Sequence, residues 1–321
     1  MQRKTYINNY FLILSLLILC ALSVFIGVKK LSIGHFFQTD SVEWKIIMTT
    51  RLPRTISLLL AGASLALSGL LMQQLTQNKF TSPSTVGTMQ SARLGLILSL
   101  VIFPQASIIN RATFAFVFAI VGTLIFIGLL YNIRAKNTII VPIIGIMSGN
   151  VISSLGSFFA IQWDIVQEVT ARFQGSFSLI HSENYQLIFL ALISMIGIMI
   201  GVHYFSVIGL GKDLVTQLGI GYEKIVIIGI VLISLSTACI VLTVGNIPFV
   251  GIVIPNIVSL LKGDYFKNNL LYVTIFGANF LLICDILARV VVYPYEIPVS
   301  VIVGIIGSVL FIYLLLKGEL S

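Results

Sequence analysis

The sequence predicts an all-α, polytopic membrane protein with about ten transmembrane helices. Of its 321 residues, 58% are hydrophobic and only 9% are charged, and the mean hydropathy is +1.07. A soluble domain carries about 25% charged residues, and a disordered chain combines low hydrophobicity with high charge, so both classes are excluded. A helical span needs about 20 apolar residues, so ten spans would use roughly 200 residues and leave short loops.

Ten apolar runs carry the predicted spans. Their bounds are 10–28, 52–74, 86–104, 112–132, 138–162, 185–208, 225–243, 250–261, 270–290 and 298–316. The first run is longer than the apolar part of a signal peptide and precedes no cleavage motif, so we interpret it as a span. The eighth is too short to span alone and is interrupted by Gly251 and Pro255. Broken helices at membrane depth are tolerated only beside protein or water, so we expect this run in the functional interior.

The charge distribution agrees with a single transmembrane domain over residues 1–321. Ten crossings put both termini on one side, and a cytoplasmic N-terminus leaves ten basic residues inside against eight outside, a weak positive-inside bias. The basic residues occur singly or in pairs between apolar runs, so the net charge of +8 reflects membrane topology and predicts no nucleic-acid partner. The basic outer face requires an explanation other than insertion.

Motifs of catalysis and metal binding are absent from the sequence. It contains no G-x-x-x-x-G-K-[ST], no G-x-S-x-G and no H-E-x-x-H. Its three cysteines lie within apolar runs, and its three histidines show no metal-ligand spacing. The sequence therefore predicts no catalytic residue, no metal site and no resident cofactor, which leaves transport or signalling.

The first informative segment begins with two arginines. Arg51-Leu-Pro-Arg54 leads into the small-residue stretch 61–69, A-G-A-S-L-A-L-S-G. Small residues allow helices to approach closely, and simple packing explains them when each is taken singly. The two guanidinium groups are three residues apart on one helix face and would suit carboxylates on a docking partner.

The second segment, 208–222, lies between two apolar runs and is rich in glycine. It predicts a short amphipathic helix from Lys212 to Leu218, on which Leu214 and Leu218 share a face at i, i+4. Such a helix at the end of two spans suits a groove on another protein. The alternative is an ordinary turn at the membrane surface.

The third segment is V-G-N-I-P-F-V-G-I-V-I-P-N over 244–256, followed by a charged pair and a proline box. Asp285 and Arg289 are spaced i, i+4 on one helix, and the box is P-Y-E-I-P over 294–298. A charge within a span is costly unless it is paired or near water, so an intrahelical ion pair is one reading of these two residues.

Together these motifs resemble the FecCD-type permeases, the BtuC-like membrane subunits of type II ABC importers for iron–siderophore complexes, haem and vitamin B12. The resemblance runs from about Arg51 to Leu316, with the boxes in the family's order. Two boxes depart from it, with N-K-F-T at 78–81 where most members read N-P-L-A and P-N-I-V-S at 255–259 where most read P-H-x-x-R. These variants, with S-A-R at 91–93, resemble the subgroup that imports catecholate-type siderophores.

The resemblance implies a role for each matching position. Outer arginines of the family hold glutamates of a substrate-binding protein, and the segment 211–219 matches its coupling helix, which sits in a cleft of the ATPase subunit. The cytoplasmic gate is built from the N-P-L loop and a polar pair at the start of the fifth span. The matching docking residues are Arg51, Arg54 and Arg289, those of the coupling helix are Gly211, Leu214, Leu218 and Gly219, and those of the gate are Asn78, Phe80, Asn137 and Thr138.

The translocation path is expected between two copies of the fold, along the second and fifth spans. The candidate lining residues are Ser64, Ser68, Arg93, Ser148, Asn150, Ser153, Ser154 and Ser157. The serines and the asparagine would alternatively make ordinary helix–helix hydrogen bonds. Arg93 lies about 10 Å into its span by the rise per residue, and it would either snorkel to the interface or attract an anionic ferric catecholate.

The predicted protein is thus a multi-pass permease of the cytoplasmic membrane with both termini in the cytoplasm. Its partners would be P-loop ATPase subunits, which bind the ATP, an extracytoplasmic siderophore-binding protein, and a second permease, identical or paralogous. A different class is an ion-coupled secondary transporter of a small solute, which would need an unpaired intramembrane carboxylate, with Asp285 as the one serious candidate. A receptor or scaffold is disfavoured because no soluble domain is predicted.

Overall fold

A computed structural model describes residues 9–27, 42–133, 140–182 and 184–316, and each of the ten predicted apolar runs contains helix. The helices are α1 Asn9–Phe25, α2 Val42–Ile46, α3 Leu52–Thr76, α4 Thr88–Ile102, α5 Ile108–Ile133, α6 Ile140–Gln162, α7 Val166–Arg172, α8 Leu190–Ile200, α9 Val202–Ile208, α10 Lys212–Gln217, α11 Tyr222–Thr243, α12 Val250–Lys262, α13 Phe266–Val290 and α14 Val299–Leu316. Within the described residues, β pairing is limited to the isolated bridge between Gln174 and Gly245.

Length and hydropathy distinguish three kinds of apolar helix. Six described helices are long enough to cross a membrane. The first of them, Val42–Thr76, joins α2 to α3 through the π-helical turn Ile47–Arg51. The run 185–208 is one span in sequence but is bent by 69° between α8 and α9, where Gly201 stands. Three shorter helices, α1, α4 and α12, bring the apolar segments to ten. The all-helical, membrane-spanning fold class is confirmed.

Helix α3 lies at the centre of the bundle. Most of its residues are buried, and it packs against α13, α12, α11 and α8. Its small residues permit unusually close contacts, because a Cβ added at Gly62 would come 2.4 Å from the carbonyl oxygen of Gly277, and one added at Gly69 would come 2.0 Å from that of Gly251. The backbones of α3, α12 and α13 therefore touch, and glycine is required at these crossings.

Two of the short helices begin inside the bundle. Helix α4 starts after Gly87, at φ 85°, and α12 starts after Phe249, at φ 65°. A bulky residue with positive φ is a marked conformational outlier that surrounding packing must hold in place. The chain around residues 78–87 and 244–249 is non-helical within the protein. The prediction that Gly251 and Pro255 interrupt the eighth run is wrong, because both lie inside the continuous helix α12 and the non-helical stretch precedes that helix.

Helices α5, α6 and α14 lie at the periphery, and most of their residues are exposed or partly exposed in a single chain. Exposed apolar side chains dominate α5 and α14, which suits lipid or a neighbouring transmembrane chain. Helix α6 differs, because polar residues occupy part of its exposed face.

Replacing Gly69 with alanine is expected to destabilise the bundle. The added methyl group would overlap the backbone of Gly251, which cannot rotate away, and overpacking of this kind costs about 1–3 kcal/mol or more. The measurement is the thermal unfolding midpoint of the purified protein in detergent. Gly128→Ala in α5 is the matched control, because it meets no atom within 4 Å and should gain about 0.5–1 kcal/mol from helix propensity. Equal midpoints for the two variants would contradict the close crossing.

Candidate functional site

The three predicted docking arginines lie together at one end of the bundle, here named the Arg54 end, where α3 begins and α13 ends. Arg54 donates to Asp285 Oδ1 from Nε at 3.1 Å and from Nη2 at 2.8 Å, and to Glu296 Oε2 from Nη1 at 2.8 Å. Arg289 Nη2 lies 2.5 Å from Asp285 Oδ2, as a charge contact outside hydrogen-bond geometry. Asp285 has no exposed surface, so one buried carboxylate serves two guanidinium groups.

The same arginines satisfy the end of α1. The last carbonyl groups of a helix have no partner within the helix. Arg51 Nη1 donates to the carbonyl oxygens of Val24 and Phe25 at 2.7 Å each, and Arg289 Nη1 donates to those of Ser23 at 2.9 Å and Ile26 at 2.6 Å. The two arginines therefore cap α1 and attach it to the bundle.

A cavity of about 300 Å³ adjoins this cluster, and its lining includes Arg51, Arg54, His181 and Glu296. The side chains of Arg51 and Arg289 are buried, and Arg54 is only 12% exposed. The sequence motif brings the three arginines together, as the resemblance implies, but gives each of them internal acceptors. Glu296, within the P-Y-E-I-P box, was not chosen from sequence, although it is the acidic residue of that box.

The opposite end, here named the Lys79 end, carries the predicted coupling segment. Helix α10 begins after Gly211, at φ 98°, and is followed by Gly219, at φ 74°, so both glycines adopt a conformation that other residues rarely take. Val215 is fully buried, whereas Leu214 and Leu218 are 52% and 62% exposed. The short helix is thus anchored on one side and presents an apolar pair on the other.

The predicted gate loop lies next to this segment. Asn78 is buried, and its Oδ1 accepts a hydrogen bond from the backbone N–H of Phe80 at 2.9 Å. The ring of Phe80 packs edge-on against Phe311 of α14, with centroids 6.1 Å apart, and Phe311 in turn lies 6.4 Å from the strained Phe249. Asn137 and Thr138, the other predicted gate residues, lie outside the described residues.

One carbonyl group fixes the gate loop. Lys79 O accepts hydrogen bonds from Gln73 Nε2 of α3 at 3.0 Å and from Asn256 Nδ2 of α12 at 2.9 Å. Lys79 Nζ also pairs with Asp264 Oδ2 at 3.0 Å, in the turn between α12 and α13. Asn256 is therefore a structural partner of the loop.

The predicted lining residues fall into two groups. Ser64 and Ser68 of α3 are buried inside the chain's own bundle, where packing accounts for them. In α6, Asn150, Ser154 and Ser157 are exposed, and Ser148 and Ser153 are partly exposed. At 100° per residue, Asn150, Ser153, Ser154 and Ser157 form one stripe along α6, here named the polar stripe. Arg93 of α4 is partly buried and lies over the ring of Phe173, 5.0 Å from its centroid.

Across the described ranges, no three His, Cys, Asp or Glu side chains come close enough together to ligate a metal ion. The chemistry that the arrangement offers is therefore polar and electrostatic: a charged cavity at the Arg54 end, an apolar pair at the Lys79 end, and a polar stripe between them.

Comparison with known proteins was made over the whole chain. The model of the FecCD transport family matches residues 15–317. The petrobactin import system permease protein YclN of Bacillus subtilis is 42% identical over 96% of this chain and 98% of its own. The ferric-anguibactin transport system permease protein FatD of Vibrio anguillarum is 38% identical over 96% and 98%. A solved structure of a transporter described as metal-chelate ABC type, inward-facing, has a TM-score of 0.80 at 27% identity, covering 96% of this chain and 98% of its own.

Removing the shared carboxylate is expected to destabilise the Arg54 end strongly. Asp285→Ala would leave the buried guanidinium group of Arg289 without its counter-charge and Arg54 with Glu296 alone, and breaking a buried ion pair in this way costs about 3–5 kcal/mol. Thermal unfolding in detergent measures the effect. Glu168→Ala removes the partner of an exposed i, i+4 pair with Arg172 and should cost less than about 1 kcal/mol. A similar loss in both variants would show that the buried cluster is not a stabilising centre.

Proposed function

The chain belongs to the FecCD transport family, and we propose that it is the permease subunit of an ABC importer that carries an iron–siderophore complex across the cytoplasmic membrane. The siderophore is proposed to be of the catecholate type. Support comes from relatives that match nearly their full length and are named as permeases for petrobactin and ferric anguibactin. The observation within the structure that carries the proposal is the polar stripe of α6.

The polar stripe suits protein or water better than lipid, because the amide group of Asn150 finds no partner in hydrocarbon. The hydroxyl groups of Ser154 and Ser157 donate to the carbonyl oxygens of Asn150 and Ser153 within the helix. In a single chain Asn150, Ser154 and Ser157 are exposed although α6 is a candidate membrane span. A second permease chain, identical or paralogous, would turn this exposed stripe into the wall of a shared path. The path is therefore proposed to lie between two subunits, with the gate loop around Phe80 closing one end.

The driving force is proposed to come from a separate P-loop ATPase that docks at α10. The exposed side chains of Leu214 and Leu218 at this six-residue helix would be stabilised by a partner protein that covers them and excludes water. Its end of the molecule is proposed to be cytoplasmic, which also places both termini in the cytoplasm. Movement of α10 would reach α3 directly, since Gly209 and Gly211 pack against Gln74 and Gln77.

The Arg54 end is then extracytoplasmic and is proposed to receive a siderophore-binding protein. Glutamates of that protein would meet a positively charged cavity and steer docking more than they set affinity. Because Arg54 already binds Glu296 and Asp285, an incoming carboxylate would have to replace Glu296, the more exposed of the two partners.

The alternative of an ion-coupled secondary transporter receives no support from Asp285. That carboxylate is fully buried and contacts both Arg54 and Arg289, so it is not the unpaired intramembrane acid that ion coupling would use.

Uptake by the reconstituted complex tests the proposed function. Vesicles containing this chain, its second permease subunit and its ATPase, supplied with the binding protein, should accumulate radiolabelled ferric petrobactin when ATP is present on the ATPase side. Uptake should persist when a protonophore collapses the ion gradient. Accumulation by the chain without the ATPase, driven by an ion gradient alone, would contradict the proposal.

The coupling role predicts a selective loss in Leu214→Glu. A carboxylate in place of an apolar contact would be desolvated in the ATPase groove, so association should weaken by about tenfold or more. Co-purification of the ATPase in detergent measures it. Leu179→Glu is the matched control, because Leu179 is 60% exposed at the Arg54 end. Undiminished ATPase association with Leu214→Glu would place the contact elsewhere.

A further inference from the structure

Arg93 is a charged residue to which the described residues offer no counter-charge. It lies in α4, five residues after the helix begins and nine before it ends, or roughly 7.5 and 13.5 Å from the two helix ends by the rise per residue. Within the described part of the chain it makes no ion pair or hydrogen bond, and its Nε is buried without an acceptor. A charge inside a membrane protein is costly and by default marks a functional position.

The neighbouring helix fixes the height of Arg93. Positions on α6 approach α4 and the turn before it in parallel order, since Gly145 lies against Thr85, Gly149 against Gln90, and Gly156 against Ile97. Arg93 therefore stands at the level between Gly149 and Gly156, which is the level of the polar stripe.

The winding of the two helices sets the side on which Arg93 lies. Around the axis of α4, at 100° per residue, Arg93 lies about 60° from Gln90, which contacts α6. The rotation from Gln90 to Arg93 runs in the direction opposite to Gly95, which contacts α5. Around the axis of α6, the polar stripe begins about 60° from the glycines that contact α4. It lies on the side away from α5, whose Phe126 contacts Gly145. Because both helices are right-handed and parallel, Arg93 and the polar stripe lie on the same side of the α4–α6 pair.

The guanidinium of Arg93 packs against an aromatic ring. Phe173, which follows α7, is buried, and the guanidinium carbon of Arg93 lies 5.0 Å from its ring centroid. The side chain thus packs on a buried aromatic ring. A cation near an aromatic ring is attracted to it, and the guanidinium group carries its N–H donors in its own plane.

From these observations we propose that Arg93 binds ionised oxygens of the ferric complex during passage and so selects negatively charged cargo. This inference rests on the proposed function and names the charge class of its substrate. Ferric complexes of catecholate and carboxylate ligands present ionised oxygens, and the planar guanidinium fork matches pairs of such oxygens. The polar stripe contributes hydroxyl and amide groups beside the same path, which bind cargo without further charge.

The test compares two cargoes of equal shape in the reconstituted, ATP-driven complex. The probes are ferric bis-catecholate chelates that differ in one carboxylate, ionised in the first and converted to a methyl ester in the second. The wild-type complex should need less of the ionised chelate for half-maximal uptake. Arg93→Gln should raise that concentration about tenfold and remove the preference, as loss of a charge-assisted hydrogen bond implies. Arg93→Lys should retain the preference.

Arg111→Gln is the matched control, because Arg111 lies at the start of α5, where its Nη2 donates to the carbonyl oxygen of Pro104. It should leave the preference unchanged. The yield of assembled complex shows whether each variant folds. Unchanged half-saturation and preference in Arg93→Gln would overturn the inference, as would an equal loss for both chelates in both Arg93 variants. Failure of the wild-type complex to move either chelate would instead count against the proposed function.

Discussion

At the Arg54 end, the carboxylate of Asp285 offsets the cost of burying the positive charges of Arg54 and Arg289. Asp285 has no exposed surface, yet it contacts Arg54 from α3 and Arg289 from its own helix. With its guanidinium group held beside this carboxylate, Arg289 donates to the end of α1, where Arg51 completes the cap. The attachment of α1, the shape of the adjoining cavity and its positive character all depend on this pairing.

The sequence predicts the helices well because a helix that contacts lipid or the protein core needs a continuous run of apolar residues. The predicted run 52–74 corresponds closely to α3, and the run 225–243 corresponds to most of α11. The amphipathic segment predicted from Lys212 to Leu218 is α10, and the eighth run is the continuous helix α12. A continuous apolar run does not record a bend, however, which is why 185–208 gave no sign of the angle between α8 and α9.

Contacts between distant segments were less accessible to sequence reasoning. Asp285 and Arg289 are spaced for an intrahelical pair, but nothing local signals that Arg54, 231 residues earlier, shares the same carboxylate. Composition also cannot separate Ser64 and Ser68, buried in α3, from the exposed polar residues of α6, because both sets are small polar residues in apolar helices. Only the packing of α3 at the centre and α6 at the periphery distinguishes them.

The hydrogen bonds at Lys79 have a mechanical consequence. The carbonyl oxygen of Lys79 accepts hydrogen bonds from the side-chain amides of Gln73 in α3 and Asn256 in α12. These two helices are more than 170 residues apart in sequence and contact each other at Gly69 and Gly251. A displacement of the loop that bears Phe80 away from both helices would break both of these hydrogen bonds. The position of the loop is therefore tied to the packing of α3 against α12.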